Sequence, residues 1–457
     1  MNQSVLDTGS AVGDLAMGLF GDYVEVSFGD LGDMISKTKQ LIEARTPIIT
    51  EASFSIDGLF CSVDILKVFD ENVVELYEVK SSTSVHDIYY HDAAFQCCVL
   101  NKLGYKVRAC NIVHINNQYE RNGDLNINEL FTVEDITTDA MLLRRDVEAN
   151  IDEIREYIKQ TQEPTDDIGE HCFSPYTCGF FGYCSRHLPT PNIFDVAGAR
   201  TTTKFKCYRK GIVSFEDLNT CDLLSGAQYK QVEHELFNYP PYIDKESIRG
   251  FMKTISYPLY FLDFESFQPA IPLYDNSHPY EKIVFQYSLH YIEHEGGKLK
   301  HKEFLAYPGE DPRRKLAEQL CSDIPLNVCT TAYNMGFEKG RIRGLAEIFP
   351  DLSEQLMNIH DNIVDRMIPF QKKWYYCKAM QGSYSIKYVL PALFPNDPTL
   401  DYHNLEGVHN GGEASDAFAK MADMTDEEIE TTREHLLKYC GLDTFAMVKV
   451  WEKLKEI

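Results

Sequence analysis

The sequence predicts an α/β protein made of two α/β blocks joined by a small helical connector. Three features predict it. Residues 52–80 hold three consecutive strand-like runs that lead into a helix and a further strand. From residue 257 a second set of three strands passes into strands that alternate with helices, the pattern of a mixed sheet with helices on its faces. Between them, residues 164–192 are rich in Cys, Pro, Gly and aromatics and read as an irregular, ligand-held segment.

The first block opens with two short amphipathic helices, 10–20 (SAVGDLAMGLF) and 33–44. ASFSIDG, LFCSVDILKVF and NVVELYEVK follow as strands, with DEN at 70–72 as the hairpin turn between the last two. Residues 86–103 form a helix that Gly104 ends, and KVRACNIVHI at 106–115 is a strand. A long polar helix covers about 139–160. Residues 200–250 read as the connector, with Pro240-Pro241 near its end. The second block has strands at 257–266, 283–292 and 301–306, a helix near 312–322 and a buried strand at 327–333. Helices near 337–348, 413–421 and 426–453 complete it. The expected domains are 1–192, 193–254 and 255–457.

Composition bounds the function. The chain has 457 residues, enough for two or three domains with their own cores. No run approaches a membrane span and the amino terminus lacks the pattern of a secretory signal, so a cytoplasmic protein without membrane partners is expected. Thirteen cysteines in that setting point to metal or redox use rather than disulfides. The net charge of −26 argues against a non-specific nucleic-acid coat, yet it suits carboxylate metal sites.

Two constellations carry chemistry. Asp263 and Glu265 in FLDFES share one face of a strand, because side chains alternate with period two. Glu338 opens a helix directly after the buried strand NVCTTAY, where it can point back toward that strand end. Tyr439 and Asp443 lie one turn apart on the last helix, and a carboxylate at the edge of a core-facing surface needs a partner. In the first block, Glu78 and Lys80 share a strand face and Asp64 comes from the neighbouring strand, with Gln96 in the helix that follows. Cys172, Cys178 and Cys184 have C-x5-C-x5-C spacing, which is not a zinc-ribbon pattern.

The order Asp263, Glu265, Glu338, Tyr439, Asp443 resembles the DnaQ-like exonucleases of ribonuclease H fold, with four acidic residues and a tyrosine. Asn334 and Phe337 match the second motif, and Glu338 stands where that family usually has Asp. The resemblance implies 3′–5′ exonuclease activity with two Mg²⁺ or Mn²⁺ ions held by Asp263, Glu265, Glu338 and Asp443, and Tyr439 orienting water. Asp64, Glu78, Lys80 and Gln96 resemble the PD-(D/E)xK core of RecB-like nucleases, a restriction-endonuclease-like fold, with Leu100 where a tyrosine is usual. That resemblance implies a metal held by Asp64 and Glu78 and a lysine that stabilises developing charge. The three cysteines resemble the segment that binds an iron–sulfur cluster in some RecB-like nucleases. An upstream fourth cysteine is missing, so a shortened start, a substitute ligand such as His171 or Cys207, or no cluster, with zinc or three buried cysteines as alternatives, all remain open. The runs DFES, YNMGFEKGRI, GSYSIKYVLP and HNGGEASDAF resemble a bacterial family of uncharacterised fused nucleases. The implied partner is nucleic acid, DNA more than RNA, in repair or defence. The alternatives are a nucleic-acid-binding scaffold with one degenerate centre, or a ribonuclease.

Further residues are expected near these centres. Asp361 and Asp365 either tune the second site or lie on a helix surface, and Ser383, Ser385 and Lys387 are candidate phosphate contacts. Lys204, Lys206, Arg209 and Lys210 form a basic cluster, a groove or a solvated face.

Overall fold

The computed structural model describes residues 3–457, which are mixed α/β and divide into two compact units. Unit 1 comprises residues up to Asp166 together with Gln268–Glu281; unit 2 comprises Asp167–Phe267 and Lys282–Ile457.

Unit 1 has one six-stranded sheet in the order β1 (Val24–Glu25), β2 (Ile48–Ile56), β3 (Leu59–Asp70), β4 (Val73–Lys80), β5 (Lys106–Ile115) and β6 (Phe131–Asp135). The turn at 70–72 joins β3 to β4 as an antiparallel hairpin. The helix Asp87–Lys102 then carries the chain over to β5, which runs parallel to β4. Alternation decides the faces. Leu66, Val74 and Leu76 pack with Ala93, Ala94 and Val99 of that helix, while Ile65 and Tyr77 pack on the other face with Val12 and Ala16. Each such buried Val, Leu or Ile side chain contributes about 1.5–3 kcal/mol. Leu66 pairs with Leu76, so two residues further along Asp64 and Glu78 stand on the same helix-covered face.

Unit 2 has a five-stranded sheet in the order β10-β9-β8-β11-β12, with β8 (Leu259–Phe267), β9 (Ile283–Ile292), β10 (Lys300–Leu305), β11 (Cys329–Ala332) and β12 (Ile363–Asp365). β8, β9 and β10 are antiparallel neighbours; β11 and β12 run parallel to β8. A short antiparallel ribbon, β7 (Tyr242–Ile243) with β13 (Tyr375–Tyr376), lies apart from the sheet. The central strand β8 is buried on both faces, because helices cover each of them. Tyr260, Leu262 and Phe264 pack with the helices Arg313–Asp323, Gly336–Ile348 and Ser353–Asp361. Leu259 and Phe261 pack with Met447, Val448 and Trp451 of the helix Asp426–Lys455. Asp263 and Glu265 continue this second face toward the carboxyl end of the strand.

The division departs from the expected 1–192, 193–254 and 255–457 in two places. The cysteine segment groups with unit 2, because Ile168 and Cys172 pack with Phe205 of the helix Thr201–Tyr208 and Asp167 accepts from the Tyr208 hydroxyl. Residues 268–281, between β8 and β9 in the chain, group with unit 1. No helix of the described residues is long and apolar enough to cross a membrane.

Candidate functional site

In unit 2 the sheet and one long helix bring distant carboxylates together. β8 and β11 are parallel, so their carboxyl ends lie on the same sheet edge, the usual site of ligand crevices in open α/β sheets. Asp263 and Glu265 end β8. After β11, Asn334 takes φ +72°, a left-handed turn that starts the helix Gly336–Ile348 with Glu338 in its first turn. Asp443 lies one turn before Met447 on the helix whose apolar stripe packs against β8. All five expected residues belong to this centre: Asp263 is half-buried, and Glu265, Glu338, Tyr439 and Asp443 are buried.

The electrostatics are those of carboxylates crowded without enough positive charge. Burial first, then Asp443, Glu265 and Glu338, push Asp263 well above the usual carboxylate range. Burial, then Asp443, do the same to Glu265, against the pull of Lys387. Burial raises Glu338 to about 8, with Asp365 and Asp443 adding to it, and its Oε2 has no hydrogen-bond partner among the described residues. Burial raises Asp443 to about 6, opposed by Tyr402, Lys387 and Tyr439. A group of buried carboxylates whose ionised forms repel fits a divalent cation, which supplies the missing charge.

The geometry adds Tyr402, which spacing alone did not single out. The Tyr402 hydroxyl donates to Asp443 Oδ1 at 2.6 Å. Lys387 Nζ lies 5.6 Å from the Tyr402 ring and 5.9 Å from the Tyr439 ring. It thus stands at the site. A Cβ on Gly411 would meet Glu265 Oε2 at 3.4 Å, so the helix Gly411–Lys420 starts close to that carboxylate. The Cys440 sulfur comes within 4.8 Å of Asp263 and Glu265 ligand atoms. Burial holds that thiol protonated, well above its usual range, and a neutral thiol is a poor ligand for hard cations. A cavity of about 930 Å³, lined in part by Lys387, Tyr402, His403, Asn410 and Glu413, adjoins the centre. Asp365 is buried and accepts from the Asn334 and Met367 amides, fixing the turn before Glu338. Asp361 instead is exposed and pairs with the buried His360 next to it.

The expected residues of unit 1 also converge. Asp64 Oδ2 accepts from the Val79 amide at 2.6 Å. Lys80 Nζ lies 2.7 Å from Glu78 Oε1 and 2.7 Å from Asp92 Oδ2. Gln96 Nε2 donates to Glu78 Oε2 at 2.6 Å, and its own Oε1 is buried without a partner among the described residues. Burial, then Glu78, push Asp64 well above its usual range, and Glu51 adds to this. Burial also raises Glu78. Burial works against the Lys80 ammonium, but Glu78 and Asp92 outweigh it and raise its pKa. Asp92 sits four residues before Gln96 on one helix face, a spacing that could have flagged it. Glu51 takes φ +55° inside β2 and accepts from the Ser62 hydroxyl; no periodicity marks it.

The three cysteines are not brought together as a single-ion site among the described residues. Cys172 is buried, whereas Cys178, Cys184 and His171 are exposed. Cys207 faces Cys221 at 3.8 Å inside the connector core. The basic cluster is structural in part: Lys204 donates to the Phe194 carbonyl and Arg209 pairs with Glu170.

Residues 260–385, which contain Asp263, Glu265 and Glu338, match a family model described as a domain of unknown function, DUF2779. The uncharacterized protein UU173 of Ureaplasma parvum serovar 3 is 29% identical over 231 residues, 45% of this chain. The match covers 32% of that relative, so the chain spans about a third of its length. No solved structure matches the chain.

Proposed function

We propose that the chain is a divalent-metal-dependent nuclease whose unit 2 hydrolyses nucleic acid from the 3′ end. The observation that carries the reading is the convergence of Asp263, Glu265, Glu338 and Asp443, with Tyr439, at one edge of a sheet ordered third-second-first-fourth-fifth in unit 2. That order and those residues support a ribonuclease H-like exonuclease. The four carboxylates would hold Mg²⁺ or Mn²⁺, and two such ions would supply charge to the attacking and leaving oxygens of an in-line displacement. Tyr402 keeps Asp443 in one orientation. The Tyr439 phenol, raised by burial and then by Asp443, stays protonated and orients water by hydrogen bonding rather than as a base. Lys387 would meet a phosphate beside the carboxylates.

Asp64, Glu78, Lys80 and Gln96 support a second, RecB-like nuclease centre in unit 1, with Asp64 and Glu78 as ligands for one divalent ion. The specific observation is the Gln96–Glu78–Lys80 chain of hydrogen bonds on the face that also carries Asp64. The same Lys80 is clamped by two carboxylates, which favours as second reading a grip on nucleic acid without cutting. DNA is the substrate class first tested, and RNA the alternative.

The test is release of nucleotides from 3′-labelled single-stranded DNA with Mn²⁺. Release that EDTA and Asp263→Ala abolish is expected. DNA and RNA both left whole by wild-type protein with Mn²⁺ and Mg²⁺ would sink the reading.

A further inference from the structure

Residues 268–281 belong to unit 1, and their hydrogen bonds there are many. The Asn276 amide donates to the Arg121 carbonyl at 2.8 Å, the Arg121 amide to Ser277 at 3.1 Å, and the Gly123 amide to Asp275 at 2.8 Å. His278 Nδ1 lies 2.9 Å from the Tyr119 carbonyl. The segment ends beside the amino-terminal centre: the Tyr280 hydroxyl donates to the carbonyl of Ser81, the residue after Lys80. Tyr280 has φ +60°, a conformation that a side chain this large adopts only when its surroundings impose it. They do so here. The Tyr280 amide donates to Pro269, Gln268 Nε2 donates to the Tyr280 carbonyl at 2.6 Å, and the ring packs in the apolar cluster of Ile115 and Tyr119.

A polar cavity of about 600 Å³ lies along this junction, lined in part by Ser81, Ser82, Thr83, Tyr89, Asn117 and Tyr280. Its size is in the range of small-ligand pockets, roughly 300–1,000 Å³. Lys80 Nζ is 5.3 Å from the Tyr89 ring, so the cavity adjoins the centre itself. The chain has 70 acidic side chains, yet none of the cavity's lining residues is acidic. Ser81 and Thr83 are half-buried, and among the described residues neither hydroxyl has a hydrogen-bond partner. Free hydroxyls beside a lysine suit phosphate oxygens, and tyrosine rings at the same wall suit a base.

We propose that this cavity holds the nucleotide flanking the bond cut at the amino-terminal centre, with residues 268–281 supplying one wall of that centre's groove. The proposal rests on the reading of Asp64, Glu78 and Lys80 as a nuclease centre. It makes the connection between β8 and β9 a part of the unit 1 site, with Tyr280 as the residue that stacks on the base and Ser81 and Thr83 as the phosphate donors.

The test uses full-length Asp263→Ala protein, in which the carboxyl-terminal centre is disabled. KM for cutting a single-stranded DNA oligonucleotide is measured with Mn²⁺, and Kd for the same fluorescein-labelled oligonucleotide with Ca²⁺. Adding Tyr280→Ala is expected to raise both about tenfold, the scale of one base–aromatic stack, with kcat little changed. Tyr280→Phe, which keeps the ring, is expected to retain most of the binding. Thr83→Ala removes only a hydroxyl; it is expected to raise Kd about threefold, and it decides the matter should Tyr280→Ala fail to fold. If Asp263→Ala protein does not cut but Kd still rises in these variants, the groove stands and the nuclease reading of that centre falls. Unchanged KM and Kd in both Tyr280→Ala and Thr83→Ala overturn the proposal.

Discussion

Glu338→Gln should make the metal-free protein more stable, and the size of the gain follows from the site. Folding carries the Glu338 carboxyl from an ordinary 4.5 to about 8, through burial and the neighbouring Asp365 and Asp443. A raised carboxyl pKa means that the folded state holds the proton more tightly. Stability from this group is therefore intact below about pH 4.5 and is lost as pH rises toward about 8. At pH 7 the loss amounts to about 3 kcal/mol, at 1.36 kcal/mol per pKa unit. Glutamine keeps the shape without the charge, so the variant should escape that loss. The assay is urea unfolding in EDTA followed by tryptophan fluorescence. Both tryptophans, Trp374 and Trp451, lie in unit 2, so the signal reports the unit that contains Glu338. The two proteins should agree near pH 4.5 and diverge by about 3 kcal/mol at pH 7. Saturating Mn²⁺ should narrow or reverse the gap, since an ion bound only by the native state adds about 2.7 kcal/mol at a hundred times its Kd. Equal stabilities across this pH range, or a less stable variant at pH 7 in EDTA, refute the reasoning that Glu338 is an uncompensated buried charge.

Other consequences are as specific. Tyr402→Phe removes a hydrogen bond to a carboxylate, a class worth about 1.5–3 kcal/mol, so the exonuclease rate should fall roughly tenfold to a hundredfold with the fold unchanged; steady-state kinetics beside a melting curve will show it. Asp92→Asn takes one of two carboxylates from Lys80, so the alkaline limb of any unit 1 cutting should move to lower pH, measured in Asp263→Ala protein. Arg366 is fully buried, its guanidinium lies 4.8 Å from the Phe261 ring, and its nitrogens have no hydrogen-bond partner among the described residues. Arg366→Met should therefore stabilise unit 2, by on the order of 1–4 kcal/mol in urea unfolding.

What was legible in the sequence was whatever local periodicity encodes. Asp263 and Glu265 share a face because strands alternate, and Tyr439 and Asp443 share one because helices repeat every 3.6 residues. The hairpin at 70–72 and Gly104 after its helix stand where turn chemistry put them. What escaped is set by long-range contacts. Tyr402 reaches Asp443 from a short 3-10 turn, Tyr402–Asn404, in a stretch with no period to read. The edge strands β1 and β6 are short and mostly exposed, so little burial marks them. Residues 268–281 follow β8 in the chain, so sequence order assigned them to the second block; their backbone hydrogen bonds to Arg121 group them with the first. The cysteine segment reads as the tail of the first block by analogy of order alone, whereas Cys172 packs against Phe205.

The most direct measurement is a single gel. Single-stranded DNA labelled at its 5′ end is incubated with Mg²⁺ or Mn²⁺ and resolved at single-nucleotide spacing, with wild-type, Asp263→Ala, Lys80→Ala and doubly substituted protein side by side. The account predicts a metal-dependent ladder that shortens from the 3′ end, present in wild-type and Lys80→Ala lanes and absent wherever Asp263 is replaced. A ladder that persists in the Asp263→Ala lane would contradict it.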